Sequence, residues 1–202
     1  MLKVGLTGGI AAGKSVVGEM FVALGAQLVQ ADQISHQLMQ PGEPVYEEVV
    51  GHFGEGILNP DRTVSRPKLA EAAFSGRIEE LNQIVHPAVL QQQKEWMEEV
   101  GGRDPRAIAI VEAALILEAG AAQDFDRLVV VTCRPEQRVQ RWAQRMNVDE
   151  EAARREVARR MTAQLADEEK IKAADYVIDN SGSLDETQKQ VNQLYAKLKL
   201  DA

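Results

Sequence analysis

The stretch from Leu2 to Ser15, Leu-Lys-Val-Gly-Leu-Thr-Gly-Gly-Ile-Ala-Ala-Gly-Lys-Ser, limits what this chain can fold into more than any other. An apolar run passes into Gly8-x-x-x-x-Gly13-Lys14-Ser15, the spacing at which a β-strand turns through a glycine loop into a helix. Glycines at the two ends of the loop allow backbone angles that a side chain would resist, so successive N–H groups can point inward at phosphate oxygens. A helix starting near Gly13 adds its positive end to the same place. Lys14 is then positioned to reach β- and γ-phosphates as a point charge, and the Ser15 hydroxyl to complete the coordination of a nucleotide-bound Mg²⁺. The competing reading is a glycine-rich surface turn. The flanks argue against it, because Val16, Val17, Met20, Phe21 and Leu24 follow the loop with helical spacing.

With 202 residues and 45% hydrophobic content, the chain can bury one substantial core with room for an inserted subdomain. No apolar run approaches the ~20 residues of a membrane-spanning helix, and the first residues enter a strand without a signal-peptide pattern. The single Cys133 excludes an internal disulfide framework and fits a reducing compartment. It sits in an apolar strand, where it reads as core packing rather than as a nucleophile. These features together give the expectation of a cytoplasmic protein. A net charge of −8 lacks the basic footprint of a nucleic-acid binder, so an anionic ligand must be gripped by local positive charge.

Taken in order, the first strand and the loop helix end at Gly25, a C-terminal glycine cap. A second strand is expected over 27–31, with Asp32 at its carboxyl end, the end at which open α/β sheets bind ligands. Asp32 has two compatible readings. It is a carboxylate able to accept the proton of an attacking hydroxyl, or the N-cap of a helix over 33–39. From Pro41 to Gly102 breakers separate helical segments with no clear strand, and Leu81, Ile84, Val85, Val89 and Leu90 share one face. His86-Pro87 interrupts this periodicity, Pro87 being expected to kink or restart the helix. His86 is read as a structural residue or as a ligand contact. Residues 101–106 form a polar turn before a buried strand over 107–111 that ends at Glu112. Glu112 can hold Mg²⁺ through water or cap a helical segment over 113–118. Further buried strands are expected over 128–132 and 176–178, with a closing helix over 183–200. Strands alternating with helices give a parallel sheet. No internal repeat or low-complexity segment is present.

The segment from Arg134 to Arg160 has a charge pattern found nowhere else in the chain. Eight arginines against five acidic residues, with no lysine, leave a local charge of +3. Arg138, Arg141 and Arg145 share a helical face by spacing and have no acidic partner within their own helix. Glu150/Arg154, Glu151/Arg155 and Glu156/Arg160 are i,i+4 pairs that suit a solvated helix. The first helix therefore reads as a lid presenting guanidinium groups to phosphates, and the second as surface.

These residues resemble the dephospho-coenzyme A kinase family along nearly the whole chain. The resemblance is carried by Val4-Gly5-Leu6-Thr7-Gly8-Gly9-Ile10 and the glycine loop behind it, Ala31-Asp32-Gln33-Ile34, His86-Pro87, Arg141-x-x-x-Arg145 and Arg160-x-x-x-Gln164. The tail Ala174-Asp175-Tyr176-Val177-Ile178-Asp179-Asn180-Ser181-Gly182 completes it. It implies an α/β P-loop NTPase three-layer fold with a parallel five-stranded sheet, a helical acceptor-binding insertion and an arginine-rich lid. By that pattern 1–40, 103–133 and 174–202 form the core, 41–102 the insertion and 134–173 the lid. The family's activity is ATP-dependent phosphorylation of the ribose 3′-hydroxyl of dephospho-CoA, with Mg²⁺. Carried over by residue, the resemblance implies Asp32, Lys14, Arg141 and Arg145 as catalytic residues. Gly8, Ala11, Ala12, Gly13, Lys14, Ser15, Val16, Asn180 and Gly182 would bind ATP. Thr7, Asp32, His36, His86, Pro87 and Leu115 would bind dephospho-CoA, and Ser15, with Glu112 as a candidate, would serve the metal. No nucleic acid, membrane or obligate protein partner is implied. The sequence departs from the family pattern at Gln30, His36 and Met146-Asn147, and at Glu112 to Glu118, where the family more often has an Asp, Pro and Phe pattern.

Two rivals remain at this level. One is a kinase for another small acceptor, such as a nucleoside monophosphate or shikimate. The other is a nucleotide-dependent switch, against which stand the lack of a clear Asn-Lys-x-Asp run and the presence of Asp32 and the arginine helix, which binding alone does not need.

Overall fold

The apolar run at the start of the chain becomes the middle strand of a sheet, which is why it is apolar on both faces. In the computed structural model, which describes residues 1–74 and 76–202, the strands are β1 (Leu2–Gly8), β2 (Gln27–Gln30), β3 (Ile108–Glu112), β4 (Arg127–Thr132) and β5 (Tyr176–Asp179). Their order is β2-β3-β1-β4-β5. β1 runs parallel to β3, with Leu6 opposite Glu112, and parallel to β4, with Gly8 opposite Val131. β5 runs parallel to β4, with Asp179 opposite Thr132. Gly8, Glu112, Thr132 and Asp179 therefore reach the same edge, the carboxyl edge where such sheets bind ligands.

Parallel strands need long crossovers, and helices supply them. α1 (Lys14–Ala23) and α9 (Leu184–Asp201) cover one face. Val17, Phe21, Val191 and Leu198 are fully buried there against Leu2, Val4, Leu6, Ile110, Val129 and Val131. Burying each of these larger side chains contributes roughly 1.5–3 kcal/mol. Strand side chains alternate between faces, so Leu128 turns the other way and packs with Ile116, Ala121 and Phe125. Ser183 starts α9 as a capping box, its hydroxyl accepting from the Glu186 N–H while the Glu186 carboxylate accepts from the Ser183 N–H.

The chain divides into two compact units, residues 1–28 with 99–202, and residues 29–98. The second has its own core. α2 (Ala31–Leu38), α3 (Pro44–Phe53) and α4 (Arg66–Phe74) surround it, together with most of α5 (Ile78–Arg103). Ile34, Val45, Tyr46, Val49, Ile57, Leu58, Leu69, Val85 and Val89 fill it. Among the described residues of 41–102 the elements are helices, with an isolated antiparallel bridge between Leu58 and Val64, while the compact unit itself runs from 29 to 98.

Four local expectations are corrected. β2 stops at Gln30, and Ala31 is already helical, so the N-cap of α2 is Gln30 and Asp32 lies in the first turn. α5 passes through Pro87 and ends only at Arg103, inside the expected polar turn. Pro87 forfeits one backbone bond, to Gln83, at a cost of ~3 kcal/mol, while Val85 and Val89 on either side are buried and offset it. Residues 114–120 are turns rather than a helix. The Ala114 carbonyl is taken by the Thr7 hydroxyl at 3.3 Å and the Lys170 ammonium at 3.4 Å, so it is drawn away from a helical ladder. Cys133 is buried as expected but stands just beyond β4, and burial pushes its thiol pKa up.

Candidate functional site

The loop from Gly8 to Ser15 joins β1 to α1, and its glycines are required by contact as well as by angle. Gly8 has φ 150° and lies against the carbonyl of Val131, leaving no room for a Cβ. Gly13, with φ 99°, is the N-cap of α1, and a Cβ there would strike Nδ2 of Asn180. Ala11 is held at φ 53°, a left-handed conformation that costs a residue with a side chain roughly 1–2 kcal/mol. No acidic side chain occupies the first turn of α1, so its positive end is left for an external anion. Lys14 curls back over the loop and donates to the carbonyls of Gly8 at 3.0 Å and Gly9 at 3.3 Å. The Ser15 hydroxyl donates to Glu112 Oε1 at 2.9 Å, where the largely buried Glu112 closes β3.

α6 (Pro135–Met146) meets this loop through Arg141. The guanidinium donates to the carbonyls of Ala12 at 3.1 Å and Asn180 at 2.8 Å. Asn180 is buried and donates from Nδ2 to the same Ala12 carbonyl at 2.9 Å, while its Oδ1 accepts from the Thr187 hydroxyl at 2.9 Å. Arg134 and Gln137 each donate to the carbonyl of Ser181 at 2.9 Å. Residues 180–182, the loop and α6 are thereby tied together, with Gly182 exposed beside the carboxylate of Glu186. The Ser183 N–H and hydroxyl hold the Glu186 carboxyl below the usual range.

The expectation of three unpaired guanidinium groups on one face is corrected. Arg138 is buried and ion-paired with Asp167, Arg141 sits on the loop carbonyls, and Arg145 lies 4.7 Å over the ring of Trp142. Arg160, from α7 (Glu150–Thr162), lies 4.8 Å from the same ring. Indole rings attract guanidinium groups by roughly 0.5–1 kcal/mol at exposed sites. A solvent-facing Arg145 therefore folds onto the nearest aromatic face. The expected pairs on α7 form, with Arg154 on Glu150, Arg155 on Glu151 and Arg160 on Glu156. Glu156 also takes Arg159, and hydrogen bonds from Arg159 and Arg160 lower its pKa to about 2 against the opposing effect of burial. Below these charges Ile10 of the loop packs with Val139, Trp142, Ala153 and Val157, so the loop and both helices share one apolar cluster.

Of the other candidates, Thr7 is fully buried with its hydroxyl spent on Ala114. Leu115 is 38% exposed in the turn after β3. Val16 is also partly exposed on the first turn of α1. Asp32 and His36 are exposed on α2, His36 beside Gln40, and the half-buried His86 and exposed Pro87 lie within α5. The sequence reading missed a buried pair in the first unit. Lys170 of α8 (Asp167–Ala173) is fully buried with its ammonium 2.8 Å from Glu118 Oε1. Partners 52 positions apart leave no periodic signal. Gln137 was missed as well, although Pro135 followed by a Gln at the third helical position is a recognisable helix start.

Comparison with known proteins bears on this geometry. The dephospho-CoA kinase family model matches residues 2–186. A curated dephospho-CoA kinase of Aquifex aeolicus is 39% identical over 203 residues, covering all of both chains. The solved structure of TT1252 from Thermus thermophilus superposes with a TM-score of 0.79 at 29% identity, covering 98% of this chain and 97% of the other. The dephospho-CoA kinase from Campylobacter jejuni, 24% identical, shares the fold with a TM-score of 0.71 over 98% of each chain. A glycine loop, a buried acidic strand end and an arginine helix in this order, with full-length identity of this kind, establish that the chain belongs to the dephospho-CoA kinase family.

Proposed function

We propose that this chain phosphorylates the ribose 3′-hydroxyl of dephospho-CoA with ATP, the last step of CoA biosynthesis, and that the residues carrying the reaction are those gathered around the glycine loop together with Asp32. The observation that carries the reading is the loop itself: a positive helix end, Lys14 and Arg141 converge on a backbone whose glycines leave no space for side chains.

Phosphoryl transfer passes through a loose transition state, so the protein's work is alignment and charge stabilisation rather than covalent chemistry. Lys14 gives up two backbone carbonyls to meet the β- and γ-phosphates, and the N–H groups from Ala11 to Val16 surround them. Arg141 exchanges carbonyl partners for phosphate oxygens, which as anions make charge-assisted and stronger hydrogen bonds. Asn180 to Gly182 border the adenine. Asp32 accepts the proton of the attacking hydroxyl, and the helical insertion over 41–102, with His86 and Pro87, receives dephospho-CoA. His36 and Leu115 serve the same acceptor, and Thr7 supports it from within the core. The segment 134–173 acts as the lid, and excluding water keeps the phosphoryl group from hydrolysis. Arg145 leaves Trp142 when the lid closes.

Ser15 and Glu112 present a hydroxyl and a carboxylate 2.9 Å apart, oxygen donors of the kind Mg²⁺ takes. Among the described residues no group of three or more His, Cys, Asp or Glu could hold a metal ion by itself, which suits an ion brought in on the nucleotide. Bound there, Mg²⁺ supplies neutralisation of β- and γ-phosphate charge. No helix among the described residues is long and apolar enough to cross a membrane.

The test is ADP release across a panel of acceptors. Dephospho-CoA should be turned over with a kcat/KM at least a hundredfold above adenosine, AMP or shikimate; equal rates on all four would remove the assignment. For the lid, Arg141→Ala should lower kcat and kcat/KM together, by about 10²-fold, the loss of one donor aimed at developing charge. A rise in KM for ATP at unchanged kcat would make Arg141 a ground-state contact only.

A further inference from the structure

Arg138 is the largest fully buried side chain in the described structure, 1% exposed, and the reaction as described makes no use of it. Its guanidinium pairs with Asp167, the first residue of α8, and its Nε finds no hydrogen-bond partner among the described residues. A Cβ built on Gly9 would collide with Nη1 and Cζ of Arg138, so the cation lies directly against the backbone of the loop's second glycine. Burying a guanidinium this completely is unfavourable unless it is paired, and one carboxylate cannot satisfy five donors. A simple core position would be filled better by an apolar side chain.

α8 grips the same strand end a second time. Lys170, three residues after Asp167 and on the same helix face, reaches Glu118 at 2.8 Å and the Ala114 carbonyl at 3.4 Å. That carbonyl also accepts the Thr7 hydroxyl. Through Arg138 the short helix bears on Gly9, and through Ala114 it bears on Thr7, the two sides of Gly8.

We propose that Arg138 is a positioning residue for the phosphate loop: anchored by Asp167, its guanidinium fixes Gly9 and places a buried positive charge behind the nucleotide phosphates. Nucleotide affinity then depends on an ion pair made from α8. The inference rests on the loop's being the ATP site, and Lys14→Ala measured alongside separates the two. If Lys14→Ala also leaves both ATP binding and the rate of phosphoryl transfer unchanged, it is the loop assignment that fails.

The experiment compares ATP binding by titration calorimetry with KM for dephospho-CoA and with Tm, in Arg138→Met, Asp167→Ala, Gly9→Ala and the double variant Gly9→Ala/Arg138→Ala. Arg138→Met and Asp167→Ala should each weaken ATP about tenfold or more, as loss of a charge-assisted interaction does, with KM for dephospho-CoA within about twofold of wild type. Gly9→Ala should weaken ATP strongly while Arg138 is present. Removing Arg138 in the double variant should restore part of that loss, because the colliding atoms are gone. ATP affinity within twofold of wild type in folded Asp167→Ala, equal losses for both substrates, or a double variant no better than Gly9→Ala would each overturn the proposal. Should Arg138→Met fail to fold, Asp167→Ala and the Gly9 pair decide it.

Discussion

Lys14→Ala should lower kcat/KM for dephospho-CoA phosphorylation by about 10²–10³ while leaving the fold unchanged. The magnitude is that of removing one preorganised donor from developing charge in a water-excluded site. The claim that the fold survives comes from what Lys14 touches. Its ammonium donates to the Gly8 and Gly9 carbonyls and the residue is only half-buried, so water can take both acceptors once the side chain is gone. The core that anchors α1 through Val17 and Phe21 does not include Lys14, so that cluster stays intact. Alanine is also the strongest helix former, so propensity does not oppose the change. Circular dichroism and Tm matched to wild type, together with the kinetic loss, would place the effect in transition-state stabilisation. A well-folded Lys14→Ala enzyme with wild-type steady-state rates would remove the glycine loop from the reaction.

The glycine loop, its strand and its helix were legible because their determinants are local: glycine conformations, an apolar run and helical spacing within about 25 residues. The strands β3 and β4 were legible for the same reason, as short continuous apolar runs are what a strand buried on both faces requires. Boundaries were less so. Ala31 and Asp32 begin α2 rather than end β2 or cap the helix, a choice made between neighbouring residues with similar local preferences. α5 runs through Pro87 because buried Val85 and Val89 outweigh one missing backbone bond, a tertiary effect with no local sign. In the site, spacing placed Arg138, Arg141 and Arg145 on one helix face but could not say what each would meet. One meets Asp167, one the loop carbonyls and one Trp142, and those partners lie between 3 and 129 positions away. Charge pattern shows that cations are concentrated; only the fold distributes them.

Asp32→Asn separates proton acceptance from structure more sharply than any other substitution in this chain. Asp32 is exposed in the first turn of α2, and the N-cap position belongs to Gln30, so the carboxylate contributes to the helix only through its charge at the positive end. That contribution is typically ~0.3–1 kcal/mol at an exposed site, and Asn keeps the shape. Thermal stability should therefore fall by only a few degrees, given that ~1 kcal/mol corresponds to roughly 2–4 °C in a domain of this size. As the base for the ribose hydroxyl, Asp32 gives a different expectation. The amide cannot take the proton, and kcat should drop by about 10²–10⁴. A base for that hydroxyl would stand close to anionic substrates, so on this reading ATP affinity should hold or rise once its negative charge is removed. Tm, ATP binding and kcat measured on one preparation distinguish the cases. A variant with near-normal Tm and ATP affinity but kcat reduced a hundredfold or more has lost the base. If instead it keeps more than about a tenth of wild-type kcat, far short of the loss a general base would show, Asp32 contributes only its charge to the helix start, and the proton must go to another carboxylate. Glu112, already hydrogen-bonded to Ser15 at the end of β3, is then the next to replace.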